Sequence, residues 1–216
     1  MLENRLGDVY GVNMSSKDNS VNIKQKARQY HHGDLSAALV KAGLELLKNR
    51  AADDLSLREV ARHVGVSATA VYRHFPDKQA LLYAMCRKGA EELARVQTAA
   101  TKEAGGGKPG FRASGRAYIY FALGNPALYR LMMATKPPQG GYETGGAAVQ
   151  GAMQLLNENV ADILSKQAGS LDHRVATLHS WALVHGVSML ILDGLVAPDG
   201  EVIDALLNIP TKPNVY

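Results

Sequence analysis

Two short amphipathic segments that meet at Gly65-Val66 constrain the fold of this chain more than any other feature. The first opens with Ser56, three residues before Glu59, which is the capping-box arrangement of a helix start. We expect Gly65 to end this helix and Ser67 to cap a second one that runs to Phe75. The inner face of the first helix is apolar and consists of Leu57, Val60, Ala61 and Val64. Two short helices joined by so tight a turn have the spacing of a helix-turn-helix.

Helical signals continue on both sides of this pair. Before it, an apolar stripe begins after Asp34 and ends near Asn49, which predicts a first helix. After it, Pro76-Asp77 interrupts the chain and starts a long fourth helix. The apolar residues of this fourth helix that are spaced for burial are Leu81, Leu82, Met85 and Leu93. The pattern predicts a compact helical domain built around the helix-turn-helix.

The rest of the chain has helical periodicity and no convincing strand pattern. We expect Gly105 to Gly110 to be a turn, because four of its six residues are glycine. It is not a phosphate-binding loop, since Lys108 is followed by proline. Lys136 to Gly146 is predicted to be a surface loop. Helices are expected at 111–123, from 126 to 134, at 149–164 and at 171–195.

The predicted organisation is therefore all-α. We expect a disordered lead over 1–23, a helix-turn-helix domain over 24–80, a helical domain over 81–210 and a tail over 211–216. Met14 is an alternative start to Met1. A chain of 216 residues that is 46% hydrophobic has enough apolar material for a substantial core.

Composition narrows the compartment and the partners. The sequence has no uninterrupted apolar stretch of membrane-spanning length and no basic-then-apolar leader, so we expect a cytoplasmic protein without a membrane partner. Cys86 is the only cysteine, which excludes an intramolecular disulfide and a cysteine-based zinc cluster.

Positive charge is concentrated in the first part of the chain. Residues 22–88 contain 12 Lys and Arg against 6 Asp and Glu, whereas residues 89–216 contain 10 against 11. A basic segment beside a near-neutral body suits binding to phosphates, although a solvated surface with extra lysines gives the same count.

The run from Leu55 to Lys78 resembles the DNA-binding domain of the TetR family of transcriptional regulators. The residues that carry the resemblance include Val64-Gly65-Val66-Ser67 and Tyr72-Arg73-His74-Phe75-Pro76-Asp77-Lys78. A looser resemblance, through Trp181-Ala182-Leu183-Val184-His185-Gly186, is to the subgroup with a C-terminal Trp-x-x-x-His-Gly signature. The resemblance implies a non-enzymatic regulator with an N-terminal DNA-binding domain and a helical ligand-binding and dimerisation domain. It implies no cofactor.

The family resemblance also implies roles for single residues. Tyr72, His74 and Lys78 match positions that contact phosphates, and their side chains all donate to phosphate oxygens. Arg58 matches a base-reading position, where an arginine binds guanine bidentately. For each residue taken singly there is an alternative. Tyr72 could pack on Phe75, and Arg58 could be a solvated charge. The full predicted DNA-binding set is Ser56, Arg58, Ser67, Ala68, Thr69, Tyr72, Arg73, His74 and Lys78.

A basic arm precedes the first helix. Lys24, Lys26 and Arg28 are predicted to touch the minor groove of DNA. His31 and His32 belong to this arm in the simplest interpretation, with metal binding as the alternative.

The second half contains residues suited to an apolar or weakly polar effector. The predicted ligand-binding set is Tyr118, Phe121, Tyr129, Met132, Met153, Trp181 and His185; for each of these, ordinary core packing is the alternative. Two apolar stripes on the helix after Leu171 exceed the needs of one core, so we expect one of them to meet a second subunit in a homodimer. One stripe is Leu171, Val175, Leu178, Ala182, His185, Met189 and Leu192, and the other is Trp181, Val184, Ser188, Ile191 and Leu195.

Two other function classes compete with an effector-controlled repressor of a palindromic operator. An all-helical enzyme or metal protein is disfavoured, because His173, His179 and His185 are six residues apart and do not share a helix face. A DNA-binding regulator controlled by a protein partner instead of a small molecule remains the main alternative.

Overall fold

The computed structural model describes residues 32–135, 147–164 and 171–208, with side chains described within 35–135, 154–163 and 172–208. Over these residues the chain is helical and contains no strand, so the all-α prediction is confirmed. The helices are α1 (His32–Leu47), α2 (Leu57–Val64), α3 (Ala68–Tyr72), α4 (Lys78–Glu103), α5 (Gly107–Gly124), α6 (Pro126–Ala134), α7 (Ala147–Leu164), α8 (Leu171–Leu192) and α9 (Gly200–Asn208), with one 3-10 turn at Ala52–Asp54.

Several sequence predictions lie outside these residues. They are the lead over 1–23, the arm with Lys24, Lys26 and Arg28, the pair His31 and His32 as side chains, the loop over 136–146 and the tail over 211–216. They stay predictions.

The first three helices pack around the beginning of α4. α1 contacts both α2 and α4, and α2 contacts α3. The side chains that meet there are apolar and almost fully buried: Leu39, Leu47, Val60, Val71, Leu81 and Met85. The helix-turn-helix is thus held from behind by a small core, and its opposite face is left to solvent.

α4 is a single helix of 26 residues that belongs to both halves of the molecule. Leu81 and Met85 lie in the core behind the helix-turn-helix, whereas Leu93, Gln97 and Ala100 face the C-terminal helices. The predicted domain boundary at residue 80 stays a prediction, and α4 continues across it.

The C-terminal helices form a bundle around the second half of α4. α5 runs antiparallel to α4, because Gln97 of α4 bonds to Ser114 of α5 while Thr101 bonds to Gly110. α7 and α8 also pack on this pair, and α9 covers α5 with its buried Ile203.

Among the described helices, α8 is the one whose length and composition would also suit a membrane span, with a mean hydropathy of 1.5. Its polar residues His173, Thr177 and Ser188 are buried. Buried polar groups are normally hydrogen-bonded, and here they bond to α7 or to the backbone of α8 itself, as in a helix of a protein bundle.

The predicted turn at Gly105 to Gly110 is right for its first two residues and wrong for the rest. Gly105 and Gly106 have positive φ angles of 81° and 72°, but α5 already begins at Gly107. Pro109 is tolerated there because the first-turn amides of a helix have no intrahelical acceptor, so the missing N–H costs nothing.

Further helix boundaries differ from the prediction. α8 ends at Leu192 and not at Leu195, and Gly194 just beyond it has a positive φ of 71°. α3 ends at Tyr72 and not at Phe75, since the amides of His74 and Phe75 both bond to the Val71 carbonyl and tighten the chain. Pro76 then disfavours helical geometry for Phe75. α9 was not predicted as a separate helix, although Asp199 caps it by accepting hydrogen bonds from the amides of Glu201 and Val202.

Candidate nucleic-acid interface and interior cluster

Local capping signals set the angle between α2 and α3. Ser56 Oγ accepts a hydrogen bond from the Glu59 amide at 3.2 Å, and Ser67 Oγ accepts one from the Ala70 amide at 3.2 Å. Between them, Gly65 has a φ of +79°, a left-handed conformation that glycine adopts without a Cβ penalty. The Val66 amide closes the turn on the Ala61 carbonyl at 2.9 Å. The predicted helix-turn-helix geometry is therefore present.

The capping box is formed only on its serine side. The Glu59 carboxylate bonds instead to the guanidinium of Arg50. Both groups of this pair are ionised, whereas the Ser56 amide is neutral, so the pair adds a Coulomb attraction to the hydrogen bond. Arg50 and Glu59 thereby join the segment after α1 to the first turn of α2.

The outer face of α2 and α3 presents a group of unengaged polar side chains. Arg58, Thr69, Tyr72 and Arg73 are exposed, and Tyr72 has an exposed fraction of 49%. Within the described part of the chain, none of these four makes a side-chain hydrogen bond or ion pair. Tyr72 is therefore not a core residue packed away behind Phe75, which is itself buried.

The remaining predicted DNA-binding residues flank this group. Ser56 and Ser67 are exposed at the two helix starts, where their side chains act as caps, while Ala68 and His74 are partly buried. Ser56 and Ser67 thus have a demonstrated structural role that does not depend on DNA.

Lys78 lies at the first position of α4, beside this face. Its Nζ donates a 2.6 Å hydrogen bond to the carbonyl oxygen of Asp53, in the middle of the 3-10 turn. An ammonium group has three donors, so two remain for a phosphate. The sequence alone did not indicate the bond to Asp53, because the two residues are 25 positions apart.

Three acidic groups near this face are already engaged. Glu59 is paired with Arg50, Asp77 accepts the Ala80 amide at 2.8 Å, and Glu45 bonds to His63 at 3.1 Å. The carboxylates of Asp53 and Asp54 are exposed and have no ion pair among the described residues. The unpaired guanidinium groups of Arg58 and Arg73 lie on the face formed by α2 and α3 itself, which favours an anionic partner.

Four of the predicted ligand-binding residues meet in the interior of the C-terminal bundle. Tyr118 and Tyr129 hydroxyls are 3.0 Å apart, Tyr129 Oη is 2.7 Å from His185 Nδ1, and Trp181 Nε1 is 3.4 Å from Tyr118 Oη. The two tyrosine rings stack edge to face at 5.8 Å. We call these four residues the interior cluster.

The donors of the interior cluster follow in part from the chemistry of its groups. The indole N–H of Trp181 is a donor only, so the Tyr118 oxygen accepts it. Burial lowers the pKa of His185, which favours a neutral ring with a proton on one of its two nitrogens. The tautomer of this ring determines whether Nδ1 or the Tyr129 hydroxyl donates the bond between them. Burial also raises the pKa of both tyrosines, so they stay protonated donors.

Phe121 and Met132 are buried in the same core as the interior cluster, while the Met153 side chain lies outside the described residues. Sequence reasoning missed a second polar group in this core, Gln97 with Ser114. The signal was available, since Gln97 occupies an inward position of α4 one turn after Leu93.

The three histidines of α8 are not gathered into a site. His173 is buried and its Nε2 lies 3.1 Å from the Asn157 carbonyl, His179 is exposed, and His185 belongs to the interior cluster. Among the described residues there is no group of three metal-ligating side chains.

Comparison with known proteins decides the family. The model for bacterial regulatory proteins of the tetR family matches residues 39–85, and the model for a tetracyclin repressor-like C-terminal domain matches residues 111–209. The chain belongs to the TetR family. The helix-turn-helix of this TetR-family protein and the bundle behind it are thus the DNA-binding and C-terminal parts of a transcriptional regulator. Assignment to the Trp-x-x-x-His-Gly subgroup stays a prediction.

Three solved structures are similar in fold to this chain. A protein of unknown function from Rhodococcus sp. RHA1 is 31% identical, with a TM-score of 0.66 over 83% of this chain and 93% of the other. A tetR-family transcriptional regulator from Streptomyces coelicolor is 22% identical, with a TM-score of 0.65 over 81% and 78%. The fatty acid degradation regulator FadR from Bacillus halodurans is 14% identical, with a TM-score of 0.60 over 81% and 98%. TetR-family proteins are DNA-binding regulators and are generally not enzymes.

Proposed function

We propose that this TetR-family protein is a cytoplasmic, homodimeric repressor that binds a palindromic operator and releases it when an apolar or weakly polar effector binds near the interior cluster. The observation that carries the DNA-binding part is the exposed face of α2 and α3, where Arg58, Thr69, Tyr72 and Arg73 have no partner within the described chain. Recognition of a DNA groove needs side chains that have no other partner and that project from rigid helices.

The proposed contacts divide into two kinds. Arg58, Thr69 and Arg73 read base edges in the major groove, where an arginine pairs with guanine O6 and N7, and Ala68 meets at most a thymine methyl. Tyr72, His74 and Lys78 bind phosphates and fix the position of α3 on the duplex. Ser56 and Ser67 are exposed at the starts of α2 and α3, beside the same face. They add contacts to the sugar-phosphate backbone of the DNA.

The proposed dimer uses the first half of the predicted apolar stripe of α8, since the later members His185, Met189 and Leu192 pack inside the subunit itself. Val175 and Leu178 have exposed fractions of 50% and 61%, and Ala182 is exposed one turn further along. Exposed apolar residues in a continuous helical row are unusual on a monomer and typical of an interface. Ala182 and Gly186 are small, which allows a second helix to approach closely. Two recognition helices in a dimer then match two half-sites about one helical turn apart.

The proposed effector site is linked to α4 through α6. Tyr129 of α6 belongs to the interior cluster, and its neighbour Arg130 bonds to the Leu192 carbonyl and to Asp193 at the end of α8. Three residues further along the same face of α6, Met132 lies against Gly89 of α4. A ligand that moves α6 therefore acts on the helix that enters the DNA-binding half. Such coupling is reciprocal and typically about 1–3 kcal/mol.

The test is to measure binding of the purified protein to fragments of the promoter beside its own gene by footprinting and fluorescence anisotropy. We expect one protected palindrome, and a large loss of affinity in Arg73→Ala but not in Arg112→Ala, an exposed arginine on α5. Equal losses in both variants would contradict the proposed interface. Specific DNA binding that no small molecule alters would move support to control by a protein partner.

A further inference from the structure

A buried amide in the C-terminal bundle is only half satisfied. Gln97 of α4 has an exposed fraction of 6%. Its Nε2 donates to Ser114 Oγ at 3.1 Å and lies 3.4 Å from the Ser114 carbonyl oxygen. Its Oε1 is buried and has no hydrogen-bond partner. Leaving a buried amide oxygen unpaired is costly, and native proteins seldom do so without a reason.

The orientation of this amide is fixed by its neighbour. The Ser114 carbonyl has no proton to give, so it repels Oε1 and attracts Nε2. Turning the amide over would place two acceptors against each other, which holds Oε1 on the side away from Ser114. Gln97 therefore holds a preorganised acceptor that is buried in the bundle.

This acceptor lies beside the interior cluster. Ser114 and Tyr118 are four residues apart on α5 and both are buried, so they lie on the same face of the helix. The described hydrogen bonds around Tyr118 join members of the interior cluster to one another, namely Trp181, Tyr129 and His185. None of them supplies the donor that Gln97 Oε1 lacks.

We propose that Gln97 is a specificity-determining residue of the effector site, whose Oε1 accepts a hydrogen bond from a hydroxyl or N–H group of a mainly apolar effector. The proposal rests on the effector-binding function proposed above and narrows it to ligands with a donor. An effector without a donor leaves Oε1 unpaired, whereas one with a donor removes that cost on binding. Discrimination between the two ligand types therefore depends on this one side chain.

The test uses matched compounds that differ only in the donor, namely 4-alkylphenols and the corresponding 4-alkylanisoles. Binding to the full-length protein is measured by calorimetry for wild type, Gln97→Met and Thr98→Val. Methionine keeps the length of the side chain and removes the amide. Thr98 lies next to Gln97 but is exposed, so Thr98→Val is the matched control.

We expect wild type and Thr98→Val to prefer the phenol by roughly tenfold, a factor that corresponds to about 1.4 kcal/mol. Gln97→Met should lose this preference and retain the affinity for the anisole. A preference that persists in Gln97→Met would overturn the assignment while leaving effector binding in place. Failure of both compound types to bind, with operator binding intact, would overturn it together with the effector part of the proposed function and leave the DNA-binding part standing.

A second measurement needs no ligand. Because Oε1 has no partner in the free protein, the hydrogen bond that Gln97→Met removes is the one from Nε2 to Ser114 Oγ, so this variant should melt no lower than Ser114→Ala, which breaks the same bond. A melting temperature markedly below that of Ser114→Ala would show that Oε1 is already satisfied in the free protein, for example by an internal water, and would overturn the anchoring role.

Discussion

Lys78 donates a 2.6 Å hydrogen bond from Nζ to the carbonyl oxygen of Asp53, which ties the first residue of α4 to the turn before α2. A residue matched to phosphate binding thus also holds the framework of the helix-turn-helix. We expect Lys78→Met to weaken binding to every DNA sequence and to change the slope of log affinity against log salt by roughly 0.9, the value for one phosphate.

The measurement is fluorescence anisotropy over a salt series with operator and unrelated DNA. Lys78→Arg should retain most of the affinity. Lys102→Met is the control, since Lys102 is exposed near the other end of α4. An unaltered salt slope in Lys78→Met would show that Lys78 is structural only.

Arg58 should determine which DNA sequence is preferred and should contribute little to the affinity for DNA in general. Arg58→Ala is expected to lose about 1–3 kcal/mol of binding at one base pair of the operator and little on unrelated DNA, because a bidentate contact to guanine is lost. The measurement is the affinity for operators with single base changes. Arg112→Ala controls for the loss of one exposed positive charge. Equal weakening on all sequences would assign Arg58 to the phosphates.

The effect on stability of replacing Gly65, in the turn between α2 and α3, should come from backbone conformation alone. Gly65 has a φ of +79°, and a Cβ added there would meet no atom within 4 Å. Gly65→Ala is therefore expected to lower the free energy of unfolding by about 1–2 kcal/mol through left-handed strain. Gly124→Ala, where a Cβ also meets nothing and φ is not in that region, is the control and should be neutral or slightly stabilising.

Urea unfolding of the two glycine variants measures this difference. Gly65→Asn should recover part of the loss, since asparagine tolerates the left-handed region better than alanine does. Equal stability of Gly65→Ala and Gly124→Ala would contradict the strain argument.

Stability should fall in mild acid because of His185. Burial lowers the pKa of His185 below its ordinary value of 6.5, so the unfolded chain takes up a proton at a higher pH than the folded protein does. The contribution of neutral His185 to the free energy of unfolding is fully present above about pH 6.5. It is lost as the pH falls from there through the lowered pKa of the folded protein. Urea unfolding at a series of pH values measures it, and His185→Gln should have a weaker dependence in this window. Identical pH profiles would show that His185 does not titrate as proposed.

The exposed stripe of α8 should control assembly. A carboxylate at Leu178, which has an exposed fraction of 61%, would be desolvated in a helix-to-helix interface. We expect Leu178→Glu to be monomeric by analytical ultracentrifugation at micromolar concentration, with normal helicity and greatly reduced operator affinity. Ala99→Glu, on the exposed face of α4, should remain dimeric. A dimeric Leu178→Glu would place the interface elsewhere.

The sequence predicted best those features that depend on neighbours in the chain. Ser56, Gly65, Ser67 and Asp77 each act within a few residues, and all four have the predicted capping or turn role. The start of α5 was mispredicted because glycine content alone was weighed, while the position of Pro109 within the first turn decided the outcome.

Contacts between distant segments were beyond such reasoning. The bond from Lys78 to Asp53 and that from Gln97 to Ser114 join residues 25 and 17 positions apart. Residue type showed that each side chain is polar, but only the packing of the helices determined which partner it meets. The interior cluster was predictable in part. Residue type indicated its members, but only the fold determined which of them are hydrogen-bonded to each other.

The continuity of α4 determines how a small movement at one end reaches the other. It has 26 residues without proline, which corresponds to a rod about 39 Å long at 1.5 Å per residue. A tilt of roughly 3° about one end displaces the far end by about 2 Å over that length. Under the proposed function, α4 would act as a lever arm: an effector would not need to loosen the DNA-binding helices, because a swivel of a few degrees in the bundle would move α3 relative to the groove.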